Sequence, residues 1–103
     1  MHMRISWGRV SQGSWPDYEK AFKEGVEAAG QPEGLVARIL SRDIDDPNTG
    51  YSVSWWESAE AMDAYETGPG VNDEILPRIQ QFFTGAFVTN RVEIVMEKRY
   101  DGK

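Results

Sequence analysis

The stretch from Tyr51 to Tyr65 constrains the fold most, because it predicts a strand that leads directly into a helix. In its first six residues the side chains alternate between the two faces of a strand. One face carries Tyr51, Val53 and Trp55, and the other carries Ser52, Ser54 and Trp56. Aromatic and β-branched residues suit a half-buried pleated surface. Ser58 is a favourable N-cap, and the acidic Glu60 follows in the first helical turn.

The serine-bearing face of this strand is a candidate ligand pocket. Two small side chains, Ser52 and Ser54, leave space beside the flat indole of Trp56, and ligand pockets are typically lined by aromatic groups with a few polar ones. The alternative is that a helix packs closely over the serines and that Trp56 belongs to the core. All three residues are candidate substrate-binding residues.

Composition limits the classes of function. The 103 residues, with 40% hydrophobic content, predict a single domain (1–103) with an ordered core of about 3–98. A net charge of −6 argues against nucleic acid and anionic membranes as partners. The chain has no cysteine, and its one histidine is His2, near a terminus expected to be frayed. We therefore expect no metal site, no cofactor and no membrane span, and a cytoplasmic protein.

The order of elements predicts the fold class. Alternation of side chains indicates four strands, at Met3 to Val10, 35–42, 51–56 and about 87–98. Helical spacing indicates a helix after Ser14 that ends at Gly30, a helix after Ser58, and a later segment broken by Pro77. This pattern is typical of an α+β, ferredoxin-like split β-α-β fold. The expected architecture is a four-stranded antiparallel sheet with helices on one face.

The second strand, Leu35–Arg42, indicates that the sheet has a second cover. Leu35, Ala37 and Ile39 share one face, while Val36 and Leu40 lie on the other. A sheet with water on one side would alternate more cleanly between polar and apolar residues. We therefore expect one set to lie under the helices and the other at the twofold interface of a homodimer.

Residues 56–62, Trp-Glu-Ser-Ala-Glu-Ala-Met, resemble the antibiotic biosynthesis monooxygenase-like family. The likeness extends from about Met3 to Lys98 and includes Tyr18-Glu19-x-x-Phe22, Gly34-Leu35, the acidic hairpin with Pro47, and Arg91-Val92-Glu93-Ile94. It implies a dimeric α/β barrel, in which two ferredoxin-like sheets close face to face. The motifs identify a fold that hosts several activities.

The resemblance implies two enzymatic activities, and the residues bear on both. Cofactor-free oxygenases of the family hold an electron-rich phenol with an Asn four residues before the motif tryptophan, where this chain has Ser52. Haem-degrading members use a histidine on the following helix, where this chain has Tyr65 and Glu66. The missing histidine argues against haem degradation. Phenol oxygenation remains, since an ionised phenol itself supplies the electron to oxygen, and the protein contributes positioning and electrostatics.

Four further residues are candidates for substrate binding, each with a structural alternative. The Tyr65 hydroxyl could orient a ligand or simply bond to backbone. Arg38 could bind substrate or form an interface salt bridge, with Glu93 as an anionic partner. Asn72 lies in a glycine-flanked linker and could serve a lid or cap a helix. Phe83 could line the pocket or belong to the core.

Three hypotheses follow from the sequence. The first is a cofactor-independent monooxygenase acting on an aromatic or quinonoid molecule. The second is a non-catalytic dimeric module that binds a small hydrophobic ligand. In the third, the dimer is a structural element with a filled cavity. No pair of carboxylates has a spacing that demands acid–base catalysis, so no catalytic residue is assigned.

Overall fold

The computed structural model describes residues 1–85 and 87–102 and contains one antiparallel sheet with the strand order β2-β3-β1-β4. The strands are His2–Arg9 (β1), Leu35–Arg42 (β2), Thr49–Trp56 (β3) and Val88–Glu93 (β4). The helices are Trp15–Ala29 (α1), Ala59–Glu66 (α2) and Leu76–Ile79 (α3), with a π-helical turn at Gly70–Ile75 and a 3₁₀ turn at Gln80–Phe82. This order confirms the predicted ferredoxin-like α+β fold.

Helix α1 follows its sequence pattern. It buries Trp15, Tyr18, Phe22 and Gly25, which recur at helical spacing. The three aromatic residues form a core cluster with Val10, Ile75 and Ile79, and Gly25 lies against the π-helical turn at Glu74 and Ile75. The capping prediction for Ser14 is wrong. Its side chain makes no bond to the helix N-terminus and instead lies 2.6 Å from the Ser11 hydroxyl, which competes for the same oxygen.

The start of α2 matches the prediction closely. Ser58 Oγ accepts a hydrogen bond from the backbone N–H of Ala61 at 3.1 Å, as an N-cap should. Farther along the chain, Pro77 is the second residue of α3, so it restarts a helix after the π-helical turn.

Asn72 does not cap the start of a helix, contrary to the sequence prediction. Its amide donates to the carbonyls of Glu66 and Gly68, at 3.2 and 2.9 Å, and therefore satisfies acceptors at the end of α2.

Strand β4 is shorter than the predicted 87–98. It pairs only with β1, and the last pair of the ladder is His2 with Glu93. Beyond Glu93 the two strands are joined by a single backbone bond, from Ile94 to Met1. The ladder therefore stops short of the predicted end, and residues 95–98 lie outside it.

The register sorts the side chains into two faces. Arg4, Ser6 and Gly8 of β1 lie opposite Ser54, Ser52 and Gly50 of β3. These residues lie under the helices, since Trp15 of α1 contacts Gly50 and Phe83 contacts Gly8. The outer face carries Met3, Ile5, Trp7, Ala37, Ile39, Tyr51, Val53, Trp55, Val88 and Val92. Within residues 1–85 and 87–102, no helix is both long and apolar enough to cross a bilayer.

Candidate functional site

A cavity lies between the sheet and the helices. Its polar residues come from the sheet and from α2, and they are Arg4, Ser6, Arg38, Ser52 and Tyr65. Its apolar residues come mainly from α1 and the segment after α2, including Tyr18, Phe22, Val71, Ile75, Leu76, Ile79 and Phe83. About 40 Å³ is open to the centres of water molecules, which is room for about three waters. An aromatic ligand therefore enters only if the side chains over the cavity move apart.

Arg38 is the cation of this cavity that lacks an anionic partner. Its Nη1 donates to the Tyr65 hydroxyl at 3.2 Å, and its guanidinium carbon lies 5.4 Å from the centroid of the Tyr65 ring. Its Nη2 is buried and has no hydrogen-bond partner among the described residues. Glu93, the partner considered from sequence, lies on β4 at the opposite edge of the sheet from β2, out of reach of Arg38 within the chain.

Arg4 differs from Arg38 because its charge is balanced. Its Nε donates to Glu66 at 2.9 Å, and the other carboxylate oxygen of Glu66 lies 3.0 Å from Nε of Arg91. Arg91 also pairs with Asp63. These ions form a network at the edge of the cavity, whereas Arg38 is left as an uncompensated positive charge inside it.

Trp56 is held in the core beside the cavity and does not line it. Its side chain is fully buried, its indole N–H donates to Ser54 Oγ at 2.8 Å, and its ring lies 4.8 Å from that of Tyr65. Met62 and Val71 complete this cluster. Trp56 and Ser54 therefore satisfy each other, and the indole fixes the position of the Tyr65 ring.

Two other predicted site residues have different locations. Phe83 lines the cavity and packs on Gly8, where a Cβ atom would lie 2.5 Å from the phenyl ring. Glycine at position 8 is what allows this close approach. Asn72 is exposed and bonds to carbonyls at the end of α2, away from the cavity lining. The structure thus brings Arg38, Ser52, Tyr65 and Phe83 together.

Tyr18 contributes a second hydroxyl-bearing ring to the cavity. The residue is 5% exposed and packs edge-on against Phe83, with their ring centroids 5.6 Å apart. Burial raises the pKa of the Tyr18 hydroxyl from 10.0 to about 12, because the anion would lose its hydration. This group is therefore a neutral hydrogen-bonding group at any ordinary pH.

The charges that line the cavity have one sign. Arg4 and Arg38 are present, while the described lining residues include no Asp, Glu, His or Lys. A proton-accepting side chain of ordinary basicity is thus absent from the described lining, and the electrostatics favour negative charge. In the described part of the chain, no three His, Cys, Asp or Glu side chains converge as a metal site.

A second groove, of about 570 Å³, lies between the end of α1 and α2. Its ionisable side chains are Glu33, Glu57, Glu60 and Tyr65, and the three glutamates are exposed or at the surface. Exposed carboxylates are well solvated and need no partner. The cavity under the helices, with its unpaired guanidinium, is therefore the candidate site.

The cavity residues that the sequence analysis missed include three with charged or hydroxyl groups: Arg4, Ser6 and Tyr18. The signal was present in β1, where Arg4, Ser6 and Gly8 alternate with larger apolar residues in the same way as Ser52 and Ser54 do in β3. Pairing the two small polar faces across the sheet, as the register does, would have predicted one shared pocket floor.

Comparison with known proteins identifies the family. Residues 3–73 match the family model described as antibiotic biosynthesis monooxygenase. The chain belongs to this family. A solved structure of an antibiotic biosynthesis monooxygenase superposes with a TM-score of 0.77 at 18% identity, covering 93% of this chain and all of that one. The structural likeness confirms the fold, and the family model confirms the resemblance inferred from residues 56–62.

Two further matches concern porphyrins. A haem oxygenase (mycobilin-producing) of Mycobacterium tuberculosis is 28% identical over 101 residues, which cover 98% of this chain and 95% of that protein. The crystal structure of a MhuD mutant with two manganese protoporphyrin IX molecules bound per active site has a TM-score of 0.80 at 25% identity, covering 97% of this chain and all of that one. Family membership of the monooxygenase type is thus shown, while the substrate is not.

The residues of this cavity do not fit a histidine-ligated porphyrin. The one histidine, His2, lies in β1 between Trp56 and Glu93 on the neighbouring strands and does not line the cavity. The described lining of this cavity therefore offers no histidine ligand to a haem iron.

Proposed function

We propose that this protein is a cofactor-independent monooxygenase that oxidises an aromatic or quinonoid small molecule in the cavity between sheet and helices. The observation that carries the proposal is a partly open cavity, lined by aromatic rings, whose described charged groups are all cationic. Arg38, Ser52, Tyr65 and Phe83 contact the substrate, and Trp56 supports Tyr65 from behind. Membership of the monooxygenase family agrees with this assignment.

The proposed chemistry uses the substrate as its own electron donor. An anthrone-type substrate loses one proton from its CH₂ group to solvent, and the resulting phenolate–enolate gives one electron to O₂. The substrate radical and superoxide combine to form a C–O–O bond, and a proton from solvent completes the hydroperoxide. Loss of water leaves a carbonyl, so one oxygen atom enters the substrate and the other leaves as water. The protein contributes binding geometry and charge stabilisation.

The proposed assembly is a homodimer formed through the outer face of the sheet. This face carries an apolar band in which Ile39, Tyr51 and Val88 are 51%, 42% and 52% exposed in the single chain. Large exposed apolar patches are typical of interfaces. A twofold partner would cover this face with an identical one. We further propose the cytoplasm as the location, since the chain has no cysteine and so no disulfides to form.

Oxygen uptake tests the proposed activity. The purified protein, without added cofactor, is incubated with anthrone-like phenols and dihydroxyaromatics in an oxygen electrode. Ser52→Leu places a bulky group on the cavity floor and should abolish uptake, whereas Ser52→Ala leaves the space open and should retain it. Both variants must keep the circular dichroism spectrum and unfolding midpoint of a folded protein.

The outcomes separate the three hypotheses. Uptake by the wild type that is lost in Ser52→Leu supports the oxygenase. No uptake, with tryptophan fluorescence still quenched by one of the phenols, would instead indicate a non-catalytic ligand-binding module. Absence of both signals would leave a dimer with a structural role and a filled cavity.

A further inference from the structure

Arg38 presents an electrostatic anomaly that the fold does not explain. Its Nη2 is buried without a partner, and no carboxylate of the described residues pairs with its guanidinium. Burying a charged donor without a partner is costly, and native proteins nearly always pair such groups. Stability alone therefore gives no reason for an arginine at this position. A ligand that supplies the missing hydrogen-bond acceptor would explain the arginine.

Tyr65 provides a second donor at the same place. Its hydroxyl oxygen accepts a hydrogen bond from Nη1 of Arg38 at 3.2 Å, and no acceptor for its own proton is found among the described residues. A phenolic hydroxyl can accept and donate at the same time. The N–H groups of Nη2 and the O–H of Tyr65 are both free to donate, so they can hold one ligand oxygen once the side chains over the cavity move apart.

The field inside the cavity favours a negative ligand. Arg4 shares its charge with Glu66 at 2.9 Å, so Arg38 supplies the uncompensated charge, and no acidic side chain is found in the described lining. A nearby positive charge in a poorly hydrated site stabilises the ionised form of an acid. A phenol bound there would lose its proton more readily than in water, without a general base.

We infer that the cavity binds its ligand as an aromatic oxyanion, a phenolate or enolate, whose single oxygen lies between Arg38 and Tyr65. This inference rests on the proposed function for its reaction, and it assigns Arg38 as the residue that selects the ionised substrate. A carboxylate is the competing anion, since a guanidinium can bind two carboxylate oxygens along one edge. The choice of a phenolate or enolate follows from the proposed reaction, and the two kinds of anion are distinguished by experiment.

A colour titration tests this inference independently of oxygen chemistry. The probe is 4-nitrophenol, whose phenolate absorbs visible light, titrated with acid and base in the presence and absence of excess protein. Preferential binding of the anion should shift the ionisation midpoint down by about one pH unit, which corresponds to roughly tenfold tighter binding of the phenolate than of the phenol. The shift should disappear in Arg38→Gln and persist in part in Arg38→Lys, which keeps the charge.

The matched control is Arg78→Gln. Arg78 pairs with Glu74 on the surface, and its replacement changes net charge by the same amount without touching the cavity. This variant should retain the full shift. All variants are compared by their thermal unfolding midpoints, so that a loss of binding can be separated from a loss of structure.

Two further probes define the ligand class. The neutral methyl ether 4-nitroanisole should bind at least tenfold more weakly than the phenolate, and 4-nitrobenzoate tests the carboxylate alternative. The inference is overturned if the midpoint does not fall, if no probe binds, if folded Arg38→Gln keeps the shift, or if the benzoate binds more tightly than the phenolate. A shift without oxygen uptake by any phenol would refute the proposed oxygenase and leave this anion site in place.

Discussion

The two faces of the sheet depart from the usual distribution of polar and apolar residues. The face under the helices carries the polar Arg4, Ser6, Arg38, Ser52 and Ser54 beside the apolar Leu35, Leu40 and Trp56, whereas the face without helices carries Trp7, Ile39, Tyr51, Trp55 and Val88 among others. In a simple two-layer fold the covered face is the apolar one.

This departure indicates that each face has a function beyond supporting the fold. Polar groups under a layer of helices cost free energy unless they are paired, so the unpaired Arg38 points to a ligand. Apolar groups in water indicate a partner surface. Two apolar clusters lie under the helices: residues of α1 and α3 contribute to one, and Trp56 belongs to the other. The cavity lies where side chains of the sheet contribute charge.

The largest effect is expected from neighbouring tryptophans on opposite faces. Trp56→Ala leaves a hole in the covered core and should lower the free energy of unfolding by about 3–5 kcal/mol. Trp55→Ala removes a half-buried ring from the outer face. If a partner covers that face, the resulting loss in the free energy of unfolding should grow with protein concentration. Urea unfolding at two protein concentrations measures both. A concentration-independent cost for Trp55→Ala would contradict a dimer through this face.

A charge on the outer face should separate the dimer. Ile39→Glu places a carboxylate in the apolar band and should weaken association by about 3 kcal/mol, or roughly 100-fold. Sedimentation equilibrium measures the dissociation constant. Ile44→Glu is the matched control, because Ile44 is 95% exposed in the loop before β3. If Ile39→Glu and Ile44→Glu behave alike, the outer face is not the interface.

Alkaline pH should reveal the buried ring of Tyr18 on the covered side. Its pKa is raised from 10.0 to about 12 in the fold, so its contribution is fully present below pH 10 and is lost as pH rises toward 12. This rise in the pKa corresponds to a total loss of about 2.7 kcal/mol, of which about 1.3 kcal/mol falls between pH 9 and pH 11. Urea midpoints at pH 9, 10 and 11 measure this part of the loss, relative to Tyr18→Phe, which should lack it. Parallel pH profiles for the two proteins would refute the assignment.

The smallest effect should have the opposite sign. Arg38→Met replaces a partly buried cation that lacks a carboxylate partner by an apolar side chain of similar length, and should raise the free energy of unfolding by about 1 kcal/mol. Differential scanning calorimetry measures the change, with Arg78→Met on the surface as the control. A clear destabilisation by Arg38→Met alone would show that Arg38 is a structural residue and weaken its assignment to a ligand.

The local pattern predicted most of the architecture because alternation and helical spacing depend on neighbouring residues. Strand β2 has the predicted bounds, Ser58 caps α2, and Pro77 restarts a helix.

The errors concern features that depend on distant residues. The predicted shared face of Leu35, Ala37 and Ile39 is wrong, because a register shift after Leu35 places it opposite Trp56 under the helices, whereas Ala37 and Ile39 lie on the outer face. Strand β4 pairs with β1 only as far as Glu93, and Ser14 is engaged by Ser11.

The sequence by itself determined the fold class, the family and the presence of two dissimilar sheet faces, since periodicity and motif are properties of adjacent positions. Only the tertiary structure decided which polar groups meet. In the fold, Trp56 donates a hydrogen bond to Ser54, and the Arg38 guanidinium donates one to Tyr65 but has no carboxylate partner among the described residues. Arg38 and Tyr65 are 27 positions apart, and they meet only because the sheet and the helices pack together. No local pattern in the sequence encodes that contact.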